Sequence, residues 1–233
     1  MPGHTHFEES TEEYLEAIYR LEHEGPGVTT SALASDLGVA PASVSGMLKK
    51  LASDGLVMHR ARGEARLTRA GLEIAVRVIR RHRIAECFLT QMLGMSWDEV
   101  HEEACRLEHA SSAKVEARLL DALGHPSTCP HGHPIPPSDL SDPERPGVAL
   151  SVLAAGDAAT VHGVTEEISE ILRYLGEIGL RPGVAISVVE KAPLGGPVTI
   201  RIGERAHAIS LELARMITVL PVTSAGGAGL ATR

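Results

Sequence analysis

Apolar positions recur at helical spacing through most of the first half of the chain. From Ser10 to Leu21, Tyr14, Leu15, Ile18, Tyr19 and Leu21 make one stripe, which predicts an amphipathic helix. Ser10 and Glu13 have capping-box spacing, and Gly25, Pro26 and Gly27 end the run. Thr30 is placed to cap a second helix, Ser31–Leu37, with Gly38 just past its end. Pro41 suits a first helical turn, and a third helix, Ala42–Ser53, turns Val44, Leu48 and Leu51 inward. Val57–Arg60 and Ala65–Thr68 read as a hairpin turning at Arg62 and Gly63. Arg69 to Leu93 reads as one long helix, ended by Gly94. Ser96 and Glu99 again have capping-box spacing and open a helix carrying His101 to His109; Ser111–Leu123 gives a further helix.

Beyond Leu123 the pattern changes twice. Pro126, Pro130, Pro134, Pro136, Pro137, Pro143 and Pro146 mark a linker. After it, VALSVL, AATVHGV, VAISVVEK, VTIRI, HAISL and ITVLPV are short β-type runs, interrupted by a helical stretch, Glu166–Ile178. Short strands packed this densely predict a small closed barrel. The tail, TSAGGAGLATR, is expected to be disordered. The expected architecture is α+β and multidomain: a winged helix-turn-helix over 1–74, a second helical domain over 75–125, to which dimerisation and metal binding are assigned below, a Pro-rich linker over 126–147, a small barrel over 148–222 and a tail over 223–233.

Composition narrows this further. Aromatic residues are only 3% of the chain, so the core is built from Leu, Ile, Val and Ala. No apolar run reaches membrane-spanning length, and the start, MPGHTHFEES, has neither the basic residues nor the apolar segment of a secretory signal. Three widely spaced cysteines make no disulfide framework. A cytoplasmic protein without a membrane partner is expected.

The net charge of −8 argues against nucleic acid, but its distribution argues for it. Residues 41–83 hold Lys49, Lys50, Arg60, Arg62, Arg66, Arg69, Arg77, Arg80, Arg81 and Arg83 against Asp54, Glu64 and Glu73. Such a local surplus is a footprint for phosphate. The second and third helices, joined by a short turn, make a helix-turn-helix pattern. The exposed face of the third offers Ser43, Ser45, Gly46, Lys49 and Lys50, with Ala40, Pro41 and Ala42 at its start. Small residues permit close approach to a groove, and hydroxyls and lysines meet phosphates. No Arg, Asn or Gln stands there for bidentate base reading, so recognition is expected to use methyl contacts and DNA shape. A hairpin carrying Arg60, Arg62 and Arg66 directly afterwards reads as a wing. The competing account is a purely structural three-helix core with solvated lysines.

The stretch Arg80–His109 carries the chemistry. His82 and Glu86 are four apart; His101, Cys105, Glu108 and His109 are spaced by 4, 3 and 1. At about 100° per residue these four fall within an arc of roughly 100°, so they share one helix face. Two imidazoles, a thiol and a carboxylate on a face that packs inward are expensive unless something pairs with them, and a divalent cation does so. A solvated polar face with a small core cysteine is the rival account. Cys129, His131 and His133 add a weaker C-x-H-x-H pattern, which an ordered turn ahead of the linker explains equally well. The apolar residues of these helices, among them Phe88, Met92, Val115 and Leu119, exceed what one small core needs, and a homodimer contact is the natural outlet.

The stretches STEEYLEAIYRLE, DGL, RRHRIAECFL, VHEEACRLEH, CPHGHPIP and GLRPG occur in the order in which the diphtheria-toxin-repressor and iron-dependent-regulator family carries them, and the chain resembles that family over residues 8–222. The family includes the manganese transport regulators. The resemblance implies a dimeric repressor of metal-homeostasis genes that binds palindromic operator DNA when loaded with Fe²⁺ or Mn²⁺, ending in an SH3-like, ferrous-transport-accessory-like barrel. It implies a primary site of Glu13, Cys105, Glu108 and His109, and a second of His82, Glu86 and His101. Glu167 and Glu170 are the barrel carboxylates best placed to join the second site, and Cys129 and His131 are candidates through the CPH motif. Iron-type members have Met where this chain has Glu13. Manganese-type members have Asp there, often Glu at the place of Cys105, and Glu at the place of Glu16. This chain mixes the two patterns; the hard oxygen of Glu13 favours Mn²⁺.

The expected mechanism is coupling of metal binding to the pose of the winged helix, with no chemistry performed on an organic substrate. The alternatives are a winged-helix sensor of an organic ligand and a metal-dependent hydrolase; against the latter, the chain has no H-E-x-x-H, G-x-S-x-G or P-loop motif.

Overall fold

A computed structural model of the chain describes residues 9–24, 28–59, 64–141 and 146–222. Two compact units emerge. The first contains Met1–Phe88, Glu103–Pro126 and Ile135–Pro143; the second contains Leu89–Glu102, Ser127–Pro134 and Glu144–Arg233. No helix among the described residues is long and apolar enough to cross a membrane.

The first unit opens with helix α1 (Glu9–Glu24), whose stripe of Tyr14, Leu15, Ile18 and Tyr19 is buried. The chain is already helical at Glu9, so Ser10 lies inside the first turn and the capping box expected of Ser10 and Glu13 does not form. Helix α2 (Thr30–Asp36) is capped by Thr29, whose hydroxyl accepts from the Ala32 N–H at 3.1 Å, one residue earlier than expected. Helix α3 (Pro41–Ser53) starts with Pro41 in its first turn and buries Val44, Leu48 and Leu51. These helices share one core with Leu56, Val57, Ala65 and Ala75.

The hairpin forms from β2 (Val57–His59) and β3 (Glu64–Leu67), with Met58 opposite Arg66. A two-residue strand, β1 (Val28–Thr29), adds to the other side of β3, which the sequence pattern had not suggested. The Leu67 N–H donates to Glu22 Oε1 at 3.1 Å, tying the hairpin to α1. The hairpin turn with Arg60 and Arg62, and the tail over 223–233, lie outside the described residues.

Helix α4 spans Arg69–Leu93, with the ends read from the sequence. Gly71 allows it to start against the hairpin: a Cβ there would stand 2.1 Å from the Leu56 carbonyl oxygen. The expected boundary between residues 74 and 75 falls inside this helix. Helix α5 is Val100–Glu108, and Ser96 does not cap it; its hydroxyl donates to Glu99 Oε2 at 2.8 Å in the preceding turn. Helix α6 (Ala113–Leu123) is capped by Ser112 and ends at Gly124 in the left-handed region, φ 70°. Arg80, almost fully buried, bonds Glu116 at 2.6 Å and the Pro136 carbonyl, which fastens α4 to α6.

The second unit holds an antiparallel sheet in the order β4-β9-β5-β6-β7-β8, formed by β4 (Val148–Ala149), β5 (Ala158–Val164), β6 (Ala185–Lys191), β7 (Val198–Ile202), β8 (Arg205–Ile209) and β9 (Ile217–Pro221). The pairing is linear, with β4 and β8 at its ends, whereas the strand count had suggested a closed ladder. Register shifts at Val161/Gly163 and Val188/Glu190 add the twist that lets a short sheet coil around a core. That core includes Leu150, Leu172, Leu175, Leu180, Ile200 and Val219. Helix α7 is Ser169–Glu177, shorter than expected, and a further helix, α8 (Leu211–Met216), was not expected. Most of VALSVL is not strand: Leu150–Val152 form a 3-10 turn.

The segment Thr128–Pro134 folds as a tight turn closed by Cys129 N–H to His133 O at 2.9 Å and seated on β5 by Val164 N–H to His131 O at 3.1 Å. Gly132, at φ 91°, is what permits the seat: a Cβ would lie 1.9 Å from the His162 carbonyl oxygen.

Candidate metal centre

In the first unit, α4 and α5 bring their metal-ligand residues together. Glu108, 2% exposed, presents Oε2 to His82 Nδ1 at 2.6 Å and Oε1 to His109 Nε2 at 3.1 Å. The other nitrogen of His82, Nε2, faces the fully buried Glu86 Oε1 at 3.1 Å. Carboxylates only accept, so each ring nitrogen facing one must carry a proton or meet a cation. Cys105 Sγ stands 3.9 Å from His82 Nδ1. Thus His82, Glu86, Cys105, Glu108 and His109 are neighbours in one unit, as the spacing of the two groups suggested. The two expected sets are not separate in that neighbourhood: His82 of the second touches Glu108 of the first.

Glu13 is exposed on α1, and its carboxylate, that of Glu9 and a ring nitrogen of His109 all lie within 4.8 Å of one another. Glu16 is half-buried on the same helix. Sequence reasoning missed Glu9 and, more consequentially, Glu12. His109 Nδ1–H donates to Glu12 Oε2 at 2.7 Å, and Glu12 is 8% exposed. That bond pushes the His109 pKa above its usual 6.5; burial opposes the rise, and the charges of Glu108, Glu12 and Glu9 add to it.

The donor chemistry fits a first-row divalent cation. Carboxylate oxygens and imidazole nitrogens suit Mn²⁺ and Fe²⁺, and the Cys105 sulfur adds a softer donor that suits Fe²⁺ or Zn²⁺.

In the second unit, Glu167 collects three histidines. Its Oε2 lies 2.5 Å from His101 Nδ1; its Oε1 lies 3.1 Å from His133 Nε2 and 3.7 Å from His131 Nδ1. His131, fully buried, donates Nε2–H to the Trp97 carbonyl at 2.6 Å, which directs Nδ1 towards Glu167. Glu170 is exposed on the first turn of α7, so Glu167 is the carboxylate that the histidines meet. Cys129 is buried within the turn. In the sequence His133 stands out only as part of a weak C-x-H-x-H pattern; its contact with Glu167 depends on the seating of the turn on β5, which no local pattern announces.

The candidate DNA face is exposed where expected. Ala40, Pro41, Ala42, Ser43, Lys49 and Lys50 are exposed around α3, and Arg66 is exposed on β3. Ser45 is half-buried and its hydroxyl donates to the Pro41 carbonyl at 3.0 Å, so it offers only its lone pairs outward.

Comparison with known proteins agrees with both halves of this description. The family model described as the N-terminal DNA binding domain of the iron dependent repressor matches residues 6–65, its metal binding and dimerisation domain matches 68–137, and the FeoA domain matches 148–221. The iron-dependent repressor IdeR of Mycobacterium tuberculosis is 36% identical over 225 residues, covering 88% of this chain and 97% of that protein. The diphtheria toxin repressor of Corynebacterium diphtheriae is 32% identical over 224 residues, with the same coverage of each. Among solved structures, a manganese-dependent transcriptional repressor in complex with manganese superposes with a TM-score of 0.86 at 34% identity, covering 91% of this chain and all of that one. The T. acidophilum IdeR superposes with a TM-score of 0.78 at 29% identity, covering 91% and 97%. The chain belongs to the diphtheria-toxin-repressor and iron-dependent-repressor family and is a metal-dependent, DNA-binding transcriptional repressor with an N-terminal DNA-binding domain, a metal-binding and dimerisation domain and a C-terminal FeoA-type β domain.

Proposed function

We propose that this repressor acts as a cytoplasmic homodimer that binds a palindromic double-stranded operator when loaded with Mn²⁺ or Fe²⁺, manganese favoured, and so controls metal-homeostasis genes. The observation that carries the reading is the buried Glu108 carboxylate held between His82 and His109 with Cys105 nearby, in the same unit as the winged helix. A buried carboxylate among such donors is a site made for a cation.

The primary ligands are Glu13, Cys105, Glu108 and His109. His82 and Glu86 in the first unit, and His101 and Glu167 in the second, serve further metal binding, with Glu16, Glu170, Cys129 and His131 as additional candidates. The division of labour is 1–74 for DNA, 75–125 for dimerisation and metal, 126–147 as linker and 148–222 as the SH3-like domain. The cation supplies positive charge where several carboxylates converge. The chain's own contribution is position: Glu13 comes from α1, whose inner stripe is part of the winged-helix core, and Cys105, Glu108 and His109 come from α5 and its end. Ligands drawn from both elements make the pose of the DNA-binding helices depend on the site. In a two-fold dimer the two α3 helices then meet successive major grooves about 34 Å apart, with Ala40, Pro41, Ala42, Ser43, Ser45, Lys49, Lys50, Arg60, Arg62 and Arg66 as the DNA-contacting residues. Exposed Leu107 and Val115 on α5 and α6 are available to a dimer contact.

The test is equilibrium dialysis of the purified protein against Mn²⁺ and against Fe²⁺ under anaerobic, reducing conditions, paired with footprinting of the DNA upstream of its own gene with and without chelator. Metal uptake with a chelator-sensitive, two-fold symmetric footprint is expected. An equal footprint in chelator overturns the proposal.

A further inference from the structure

The metal reading accounts for His109 but not for the residue that holds it. Glu12 lies on α1 beside Glu13, is 8% exposed, and accepts the Nδ1–H of His109 at 2.7 Å through Oε2. Its Oε1 lies 3.9 Å from Arg81 Nη1, and Arg81 Nε in turn lies 4.0 Å from Glu116 Oε2. These longer contacts are charge pairs and not hydrogen bonds. They place positive charge behind Glu12 while its strong bond goes to the imidazole. On the other side of the ring, Nε2 faces Glu108. Glu116, Arg81, Glu12, His109, Glu108, His82 and Glu86 thus form one chain of alternating partners through α6, α4, α1 and α5, all within the first unit.

We propose that Glu12 is a positioning residue for the metal centre: by holding the Nδ1–H of His109 it fixes the tautomer and the ring orientation that reserve Nε2 for the cation at Glu108. A neutral histidine has one N–H and one lone pair, and a ligating nitrogen must present the lone pair. Left to itself the ring divides between two tautomers, and the form with the proton on Nε2 cannot ligate there. A carboxylate on Nδ1 removes that form and makes the remaining nitrogen a stronger donor. Glu12 suits this role and not ligation itself, because its Oε2 is engaged with the far nitrogen of the ring. The role rests on His109 being a metal ligand, as proposed above.

The experiment uses the full-length protein and two variants, Glu12→Ala and Glu12→Gln. Imidazole ¹⁵N spectra of histidine-labelled, metal-free protein, recorded above the His109 pKa, read the tautomer directly. Wild type is expected to hold the proton on Nδ1, and Glu12→Ala to shift His109 towards the Nε2–H form. Mn²⁺ titrations should then show a loss of about 10–100-fold in affinity for Glu12→Ala, the range for removal of an outer partner of a ligating histidine. Glu12→Gln keeps an acceptor at the same reach and should recover most of both signals. A general structural role would lower stability without moving the tautomer. An unchanged tautomer in Glu12→Ala, or Mn²⁺ affinity equal to wild type, overturns the inference. So does a loss in Glu12→Gln as large as in Glu12→Ala, which would make Glu12 a ligand. Should wild type itself take up neither Mn²⁺ nor Fe²⁺, the metal reading fails. The tautomer spectra then show whether Glu12 orients His109 for some other purpose, and the inference as stated falls with that reading.

Discussion

Glu108 Oε2 stands 2.6 Å from His82 Nδ1, joining α5 to α4 within the first unit. The same carboxylate reaches His109 through its other oxygen. Removing it leaves His82 and His109 without their common acceptor. Glu108→Ala is expected to weaken Mn²⁺ binding by more than about 100-fold, beyond the range for an outer partner. Glu86→Ala, at the edge of the set, is expected to weaken it less. Isothermal titration of the two variants decides the order; a larger effect from Glu86→Ala would mean that the centre lies around His82 and not around Glu108.

The proton on His109 competes with the cation. The Glu12 bond holds the His109 pKa above 6.5, so in the metal-free protein the stability contributed by this pair is fully present below that value. It is lost as pH rises through the raised pKa, because the folded state then no longer binds the extra proton. Metal uptake runs the other way: affinity for Mn²⁺ falls as pH drops through the same window, and each ion bound there releases a proton. Titrations between about pH 6 and about pH 8.5 in buffers of different ionisation enthalpy measure that release. A pH-independent affinity would exclude His109 from the ligands.

The three cysteines should separate by reactivity. Burial pushes the Cys87 thiol up to about 12, with the neighbouring Glu86 charge adding to the rise. At pH 8 its thiolate fraction is on the order of 10⁻⁴, and its side chain is fully enclosed. Cys129 is also buried, whereas Cys105 is half-exposed. A thiol reagent is expected to modify Cys105 first and Cys87 only on unfolding, with Mn²⁺ or Fe²⁺ slowing the first reaction. Mass spectrometry of the labelled peptides gives the order; fast labelling of Cys87 in the native protein contradicts the packing of α4.

Much of this was legible in the sequence, for reasons that differ by element. The 25 residues of α4 carry an unbroken helical period with Gly94 at the end, and they fold with those limits. β5 and β7 coincide with AATVHGV and VTIRI because each run is bounded by turn residues. By contrast, β1 has two residues and exists through its pairing with β3, so no local pattern could announce it. α8 begins at Leu211, the last residue of HAISL, without a break in hydrophobicity, and only the Ser210 cap separates it from β8. In the candidate site, His82, Glu86, Cys105, Glu108 and His109 were visible from helical spacing alone. Glu12 was hidden in a run of acidic residues, and its partner lies 97 residues away. One signal was available: Glu12 precedes Leu15 by three and Tyr19 by seven, which sets a carboxylate on the apolar stripe of α1.

Gly46 offers a test in which stability and function move in opposite directions. It lies within α3, exposed, with no atom within 4 Å of where a Cβ would stand. Its backbone is helical, so the glycine serves no conformational need there and weakens the helix by roughly 0.5–1 kcal/mol relative to alanine. Gly46→Ala should therefore stabilise the fold by about that amount, a rise of ~1–4 °C in melting temperature for a chain of this size. If α3 is the element that enters the major groove, the added methyl stands on the face that approaches DNA, between Ser45 and Lys49. Operator affinity should then fall while Mn²⁺ affinity stays at the wild-type value. Gly71→Ala is the contrast: its Cβ meets the Leu56 carbonyl at 2.1 Å, so it should lower the melting temperature and DNA binding together. Thermal melts, Mn²⁺ titrations and operator binding on the two variants separate the effects. A more stable Gly46→Ala protein with unchanged operator affinity would remove α3 from the DNA interface.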